Sequence, residues 1–158
     1  MDDSGSLRAQ LGLVAPRRLL RDYVFLAALV VGCGISVALG AMTAEQVGGS
    51  ISLLAFVSLV IWYPLIEELA FRGVLQGYLR GFRFARRQLA GVSYANLLAA
   101  IAFLAWHLIY RNDLMAWFVL IPGLVFGYFR DRHGSLVPSL ILHCTYNASL
   151  IPGWLLFA

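Results

Sequence analysis

Uncharged stretches and short charged stretches alternate along the whole chain. Five runs contain no Asp, Glu, Lys or Arg, and they cover 23–42, 51–66, 92–110, 114–129 and 136–158. A helix that crosses a bilayer needs about 17 to 25 mostly apolar residues, so each run predicts one spanning helix. The second run has to continue past two glutamates, which predicts a long or tilted helix. No segment alternates with the two-residue period of a strand. The pattern therefore predicts an all-α, polytopic integral membrane bundle of about five transmembrane helices.

The composition supports a membrane protein. Hydrophobic residues make up 61% of the 158 residues and charged residues 13%, whereas about a quarter of the residues of a soluble domain are charged. The polar segment 1–21 predicts a cytoplasmic leader, and 22–158 predicts one membrane domain. The first run is longer than the apolar core of a signal peptide, which has about 7 to 15 residues, so we expect it to be retained as a span.

All 12 basic residues are arginines, and most lie beside the apolar runs. They cluster at 8–21, 80–87 and 130–132. Arginine accumulates in the cytoplasmic loops of membrane proteins, so five alternating spans predict a cytoplasmic N-terminus. This placement explains the net charge of +4, and no nucleic acid is expected as a partner. The segment 80–91 is interpreted either as an interfacial helix or as a solvated loop, and His133 as a solvated loop residue.

Two adjacent carboxylates, Glu67 and Glu68, follow the second run and precede Arg72. An ionisable group inside a bilayer costs at least about 2.5 to 3.5 kcal/mol, so such groups usually face a protein interior and mark a functional site. On a helix, Glu68 and Arg72 lie four residues apart on one face and predict an ion pair. Glu67 points about 100° away from Glu68 and is the less compensated carboxylate, which makes it the candidate general base.

Three further polar side chains lie inside apolar runs: His107 in the third, and His143 and Asn147 in the fifth. If Asn96 caps the third helix, His107 lies about 16 Å along it, within the hydrocarbon layer. A carboxylate beside a neutral imidazole can activate water, and a second histidine with an amide supplies donors for the oxyanion formed at a carbonyl. This constellation predicts peptide hydrolysis without a nucleophilic side chain, provided that the three helices converge.

Small residues and a proline modify the second helix. Pro64 cannot donate a backbone hydrogen bond, so we expect it to free the carbonyl of Val60 and to bend the helix beside the glutamates. Gly73, Gly77 and Gly81 recur every four residues, which predicts the close approach of a neighbouring helix on that face.

Three short motifs resemble those of a known family. The strings are EELAFR at 67–72, FLAWH at 103–107 and HCTYN at 143–147. They look like the EExxxR, FxxxH and HxxxN motifs of the CPBP family of intramembrane proteases, which includes the type II CAAX prenyl endopeptidases and the bacterial Abi proteins. All three occur in family order and on separate apolar runs.

The resemblance implies a glutamic-type membrane endopeptidase. In that interpretation Glu67 and His107 activate the water, and Glu68 and Arg72 support them. His143 and Asn147 would stabilise the oxyanion or position the scissile carbonyl.

No cofactor is expected from this interpretation, although the family has also been described as metal-dependent. The alternative is a catalytic zinc held by Glu67, His107 and His143. The fixed positive charge of Arg72 favours the metal-free mechanism, because it would compete with a divalent cation for the carboxylates. The partners implied are the lipid bilayer and a membrane-anchored protein or peptide substrate, cleaved at a C-terminal sorting tag or propeptide. The short bacterial members of the family point to the bacterial inner membrane.

Other functions would use the same residues. Glu67, Glu68, His107 and His143 would also suit a proton relay in a small coupled transporter, although no inverted repeat supports one. Polar groups in membrane helices also serve as structural links between helices, and an inactive binding protein on the same scaffold is a further alternative. The intact and ordered motifs favour the protease.

Overall fold

The computed structural model describes residues 7–16, 18–47, 51–110 and 114–157, and most of them are helical. The helices are α1 (Leu7–Leu11), α2 (Tyr23–Met42), α3 (Ala44–Val47), α4 (Leu53–Leu79), α5 (Tyr94–Tyr110), α6 (Leu114–Trp117), α7 (Leu120–His133) and α8 (Val137–Phe157). A short 3-10 turn covers Leu19–Arg21, and an antiparallel hairpin pairs β1 (Gln88–Leu89) with β2 (Val92–Ser93). The predicted all-α membrane bundle is confirmed.

Three of the described helices, α2, α4 and α8, are long and apolar enough to cross a membrane. The apolar helix α5 is shorter, with 17 residues. The fourth predicted span is interrupted, because α6 ends at Trp117 and α7 begins at Leu120. Pro122 lies in the first turn of α7, where its missing N–H is tolerated, so the apolar run restarts as a new helix there. α7 then continues past the predicted end of the run to His133.

The arginine-rich segment 80–91 is a largely exposed loop, so the solvated alternative is confirmed and the interfacial helix is wrong. It forms a series of turns that lead into β1, and Gly91 closes the hairpin at φ +83°. The backbone N–H of Ala95 donates to the carbonyl of Ala85 at 2.9 Å, and Ala85 is fully buried. The segment is therefore attached to the start of α5.

The chain divides into two compact units. The first contains Met1–Arg17 with Glu67–Ser139, and the second contains Arg18–Ile66 with Leu140–Ala158. The helices α4 and α8 each contribute residues to both units.

In the first unit, α7 approaches α5 and α4 closely through two glycines four residues apart. Gly123 lies against the ring of Phe103 and the guanidinium of Arg72, each 3.4 Å from the position that a Cβ would occupy. At Gly127 a Cβ would overlap the side-chain oxygen of Asn96. The absent side chains therefore allow the helices to pack at short range, as small residues do in membrane bundles.

Gly127→Ala is expected to lower the free energy of unfolding by about 1 to 3 kcal/mol, because the new methyl group would overlap the Asn96 amide in a packed core. The measurement is thermal unfolding of the purified protein in detergent. Gly34→Ala is the matched control, because Gly34 also lies inside a helix but nothing surrounds its Cβ position. It should be neutral or slightly stabilising, since alanine favours a helix over glycine. Equal effects of the two substitutions would contradict the close packing at Gly127.

Of the three glycines predicted to admit a neighbouring helix, Gly73 is contacted by the leader. A Cβ at Gly73 would lie 3.4 Å from the carbonyl oxygen of Leu11 and 3.5 Å from the side chain of Leu136. The backbone N–H of Leu136 donates to the carbonyl of Gly12 at 2.8 Å. α1 is therefore part of the first unit and lies on the glycine face of α4.

In the second unit, α2 and α8 cross at glycines from both helices. A Cβ at Gly40 would overlap the Leu150 carbonyl, and a Cβ at Gly153 would overlap the Val37 carbonyl. The hydroxyl of Tyr146 donates to the carbonyl of Ala28 at 2.7 Å. The reciprocal glycine contacts and this hydrogen bond hold α2 and α8 together.

Candidate active site

Polar side chains occupy every fourth position of α4 in its C-terminal half. Glu68, Arg72 and Gln76 are fully buried, and Arg80 follows at the end of the helix. In a regular α-helix, a four-residue spacing rotates by about 40° at each step. Residues Leu69–Leu75 form a π-helical segment, however, in which each turn contains more residues than in an α-helix. The wider turn keeps the polar stripe on one face.

This stripe bonds to α7 with a constant offset in sequence. Nη2 of Arg72 donates to the carbonyl of Gly123 at 3.0 Å, Nε2 of Gln76 donates to that of Gly127 at 2.9 Å, and Nε of Arg80 lies 3.3 Å from Oδ1 of Asp131. Each partner follows its donor by the same 51 positions, so α4 and α7 run parallel and in step. The glycines of α7 make their carbonyls accessible to these long side chains.

Glu68 and Arg72 form the ion pair expected from their spacing. Nη1 of Arg72 lies 3.2 Å from Oε1 of Glu68, and neither side chain is exposed. The guanidinium also lies 4.4 Å from the ring centroid of Phe103 and 5.5 Å from that of Phe126. The two buried charges compensate each other, and two aromatic faces and the Gly123 carbonyl hold the guanidinium in one position.

Arg130 belongs to one of the arginine clusters from which the sequence predicts the membrane orientation, and the sequence does not indicate its burial. Its side chain is buried, and its Nε donates to the backbone carbonyl of Arg72 at 3.3 Å. The guanidinium packs on Gly12, whose φ of +75° and missing Cβ leave room for it. His133 is also not a loop residue, because it ends α7 and stacks on Phe129.

His107 has a defined ring orientation. Its Nδ1 lies 3.0 Å from the carbonyl oxygen of Phe103, and its ring centroid lies 4.4 Å from the Phe103 ring. A carbonyl oxygen only accepts hydrogen bonds, so Nδ1 carries a proton, and in the neutral ring the lone pair then lies on Nε2. Phe103 therefore links the second motif to the first, because the same ring contacts both Arg72 and His107.

The position of His107 along α5 also differs from expectation. The helix begins at Tyr94, and its cap is Ser93, whose Oγ accepts from the backbone N–H of Asn96 at 3.0 Å. Asn96 is thus inside the helix and donates its side-chain amide to the carbonyl of Leu124 at 2.9 Å. His107 lies about 20 Å from the helix start, in the last turn of α5.

Glu67 differs from Glu68 in its environment, as the helical geometry predicts. It is partly exposed, whereas Glu68 is completely buried against Arg72. Its charge still lies close enough to interact with that of Arg72. Glu67 belongs to the α-helical turn Tyr63–Glu68, which has π-helical segments on both sides. Such segments are frequent at functional sites.

His143 and Asn147 lie on α8 in the second unit, and His143 is buried. Nδ2 of Asn147 donates to the carbonyl of Leu59 at 2.9 Å. This carbonyl, rather than that of Val60, is the one freed by Pro64. The backbone N–H of Tyr63 donates to the carbonyl of Ser58, five residues earlier. In the same π-helical pattern the N–H of residue 64 would donate to the carbonyl of Leu59, but proline has no N–H. One N–H of Asn147 replaces it.

Among the residues that the structure describes, no three His, Cys, Asp or Glu side chains lie close enough together to hold a metal ion. The zinc alternative built on Glu67, His107 and His143 remains a prediction.

The sequence did not predict the contacts that five residues make around the site. These residues are Gln76, Asn96, Gly123, Gly127 and Arg130. Two signals could have identified part of this set: Gln76 continues the four-residue spacing of Glu68 and Arg72, and the two glycines form a GxxxG pattern in an apolar run.

One comparison with known proteins identifies the family. The model of a family described as type II CAAX prenyl endopeptidase Rce1-like matches residues 49–149, nearly two thirds of the chain. The chain belongs to this family. Neither a curated protein nor a solved structure matches it. The matched segment of this Rce1-like protein includes all three motifs, and membership identifies the chain as a CAAX-type intramembrane protease.

Proposed function

We propose that this Rce1-like protein hydrolyses a peptide bond of a membrane-anchored protein or peptide with water activated by Glu67 and His107. The observation that supports the proposal best is the orientation of His107, whose Nδ1–H donates to a backbone carbonyl and whose Nε2 therefore presents a lone pair. A neutral histidine in this tautomer can accept a hydrogen bond from water. The buried ion pair of Glu68 and Arg72 supports the proposed site, because its two charges compensate each other.

The proposed reaction needs only water and these side chains. His107 orients the water and Glu67 removes a proton from it. The water oxygen attacks the carbonyl carbon at the same time. His143 and the second N–H of Asn147 donate to the oxyanion that develops on the carbonyl oxygen. When the tetrahedral intermediate collapses, the C–N bond breaks and Glu67 returns the proton to the leaving nitrogen. One product then carries a new carboxylate and the other a new amine.

The substrate class follows from the family and the membrane setting. The family description names a CAAX prenyl endopeptidase, and we propose as substrate a lipid-anchored or helix-anchored chain that is cleaved near its C-terminus or at a propeptide. The arginine distribution supports a cytoplasmic N-terminus, and a bacterial inner membrane is the proposed location.

Glu67→Gln is expected to reduce cleavage by about 10² to 10⁴-fold, because the amide cannot accept the proton from water. The measurement uses the full chain in proteoliposomes with peptides anchored either by a prenyl group or by one spanning helix, analysed by mass spectrometry in ¹⁸O-labelled water. One ¹⁸O atom should enter the new carboxylate. Glu45→Gln is the control, because Glu45 is an exposed glutamate in α3 and should not affect the rate. Full activity in Glu67→Gln would reject the proposed base.

Two further arms of the same experiment separate the alternatives. A strong chelator should leave cleavage by the wild-type protein unchanged. Loss of cleavage with the chelator, followed by recovery with added zinc, would assign the reaction to a metal. Proton flux that depends on Glu67 and occurs without any proteolysis would assign the protein to transport.

A further inference from the structure

An open pocket of about 820 Å³ lies in the first unit at the C-terminal end of α4. The glycine face of α4 forms part of its surface through Gly73, Gly77 and Gly81, and α1 lies along another side. None of the residues assigned above to catalysis lines it. The glycine repeat that the sequence displays therefore shapes a cavity as well as a helix contact.

Three arginines line this pocket: Arg80, Arg86 and Arg130. Arg130 is held by the Arg72 carbonyl, and Arg80 by the carboxylate of Asp131. The side chain of Arg86 folds back over the end of α4. Its Nε donates to the carbonyl of Arg80 at 2.7 Å and its Nη2 to that of Gly81 at 3.3 Å. The guanidinium groups are thus positioned before any ligand arrives.

The pocket carries a net positive charge at neutral pH. Burial lowers the pKa of Arg130 to about 10, with a smaller contribution in the same direction from Arg80 and an opposing one from Asp131. Arg130 therefore remains a cation under physiological conditions. Three cations and one neighbouring carboxylate favour an anionic ligand, and guanidinium groups match the oxygens of a phosphate particularly well.

Apolar groups complete the pocket. Val74, Tyr78 and Phe82 line it and are exposed, and the rings of Tyr78 and Phe82 pack edge to face at 5.3 Å. These residues lie where the long apolar helix α4 ends, which is the depth at which aromatic residues and lipid headgroups meet. A ligand that fits both chemistries has an anionic head and a hydrocarbon chain.

We propose that this pocket binds an anionic phospholipid, with its phosphate on Arg80, Arg86 and Arg130 and an acyl chain along the exposed side chains of Val74, Tyr78 and Phe82. Basic pockets at the cytoplasmic ends of membrane helices bind acidic lipid headgroups by this chemistry. The site is separate from the proposed hydrolytic residues and does not depend on their roles.

The test measures binding of labelled phosphatidylglycerol to the purified full chain in phosphatidylcholine nanodiscs. Arg86→Ala should weaken binding about tenfold, because it removes a charge-assisted contact to the phosphate. Arg83→Ala is the matched control, since Arg83 is an exposed arginine of the same segment that lies outside the pocket. It removes the same charge and should change binding by less than about twofold. Arg86→Lys should recover part of the affinity, which shows that the effect is not a folding defect.

Three results would overturn the proposal. Equal losses in Arg86→Ala and Arg83→Ala would indicate diffuse attraction to an anionic surface. Soluble glycerol phosphate that competes as well as the lipid, molecule for molecule, would assign the pocket to a free phosphate ester. Unchanged lipid binding in Arg86→Ala, together with a raised KM for an anchored peptide, would assign the pocket to the substrate.

Discussion

Arg72→Ala is expected to lower the free energy of unfolding by about 3 to 5 kcal/mol and to abolish proteolysis. The substitution leaves the carboxylate of Glu68 fully buried without the guanidinium that compensates its charge. It also removes the hydrogen bond to the Gly123 carbonyl and the contact with the Phe103 ring. The measurement is chemical or thermal unfolding in detergent, together with the proteoliposome cleavage assay.

Two companion variants determine which interaction matters. Arg72→Lys keeps the charge but loses the planar fork that reaches Glu68 and Gly123 together, so we expect an intermediate loss of stability. A double variant with Glu68→Gln and Arg72→Met removes both charges and should recover much of the stability but not the activity. Arg83→Ala provides the baseline for losing an exposed arginine. If Arg72→Ala were as stable as this baseline, the buried pair would have no structural role.

His107→Asn should reduce cleavage by about 10² to 10⁴-fold with only a small change in stability. An asparagine amide can take the place of Nδ1 and still donate to the Phe103 carbonyl, but it has no atom at the position of Nε2. The rate is measured in proteoliposomes, and unfolding is measured in parallel. His133→Asn is the matched control in the same unit, because His133 packs on Phe129 and has no proposed part in the reaction. Equal rates for the two variants would show that His107 does not orient the attacking water.

The elements that could be predicted from the sequence are those set by composition and by helical spacing. Charge-free runs identify the long helices, since few other structures bury so many apolar residues in a row. The pairing of Glu68 with Arg72 follows from a four-residue spacing alone. The motifs at 67–72, 103–107 and 143–147 all lie within the segment that matches the Rce1-like family.

The details that the sequence did not predict depend on partners that are distant in the chain. Arg130 lies in a charged stretch of the sequence, but Gly12 and the Arg72 carbonyl contact its guanidinium and its side chain is buried. Asn96 looks like a helix cap, but the hydroxyl of Ser93 takes that role. The π-helical segments shift hydrogen bonds by one residue, so the carbonyl freed by Pro64 is that of Leu59. Local rules cannot predict such shifts, because tertiary contacts stabilise them.

The constant offset between α4 and α7 has a consequence for how these two helices align during assembly. If α7 slid by one turn, Arg72 would face Gly127 and Gln76 would face Asp131, and side-chain donors would again meet oxygen acceptors. Only the observed alignment also pairs the cation of Arg80 with a carboxylate. A partly exposed ion pair of this kind adds only about 0 to 1 kcal/mol to stability. Asp131 therefore contributes to selecting this alignment, together with the close contact between Gly127 and Asn96 that a slid α7 would lose.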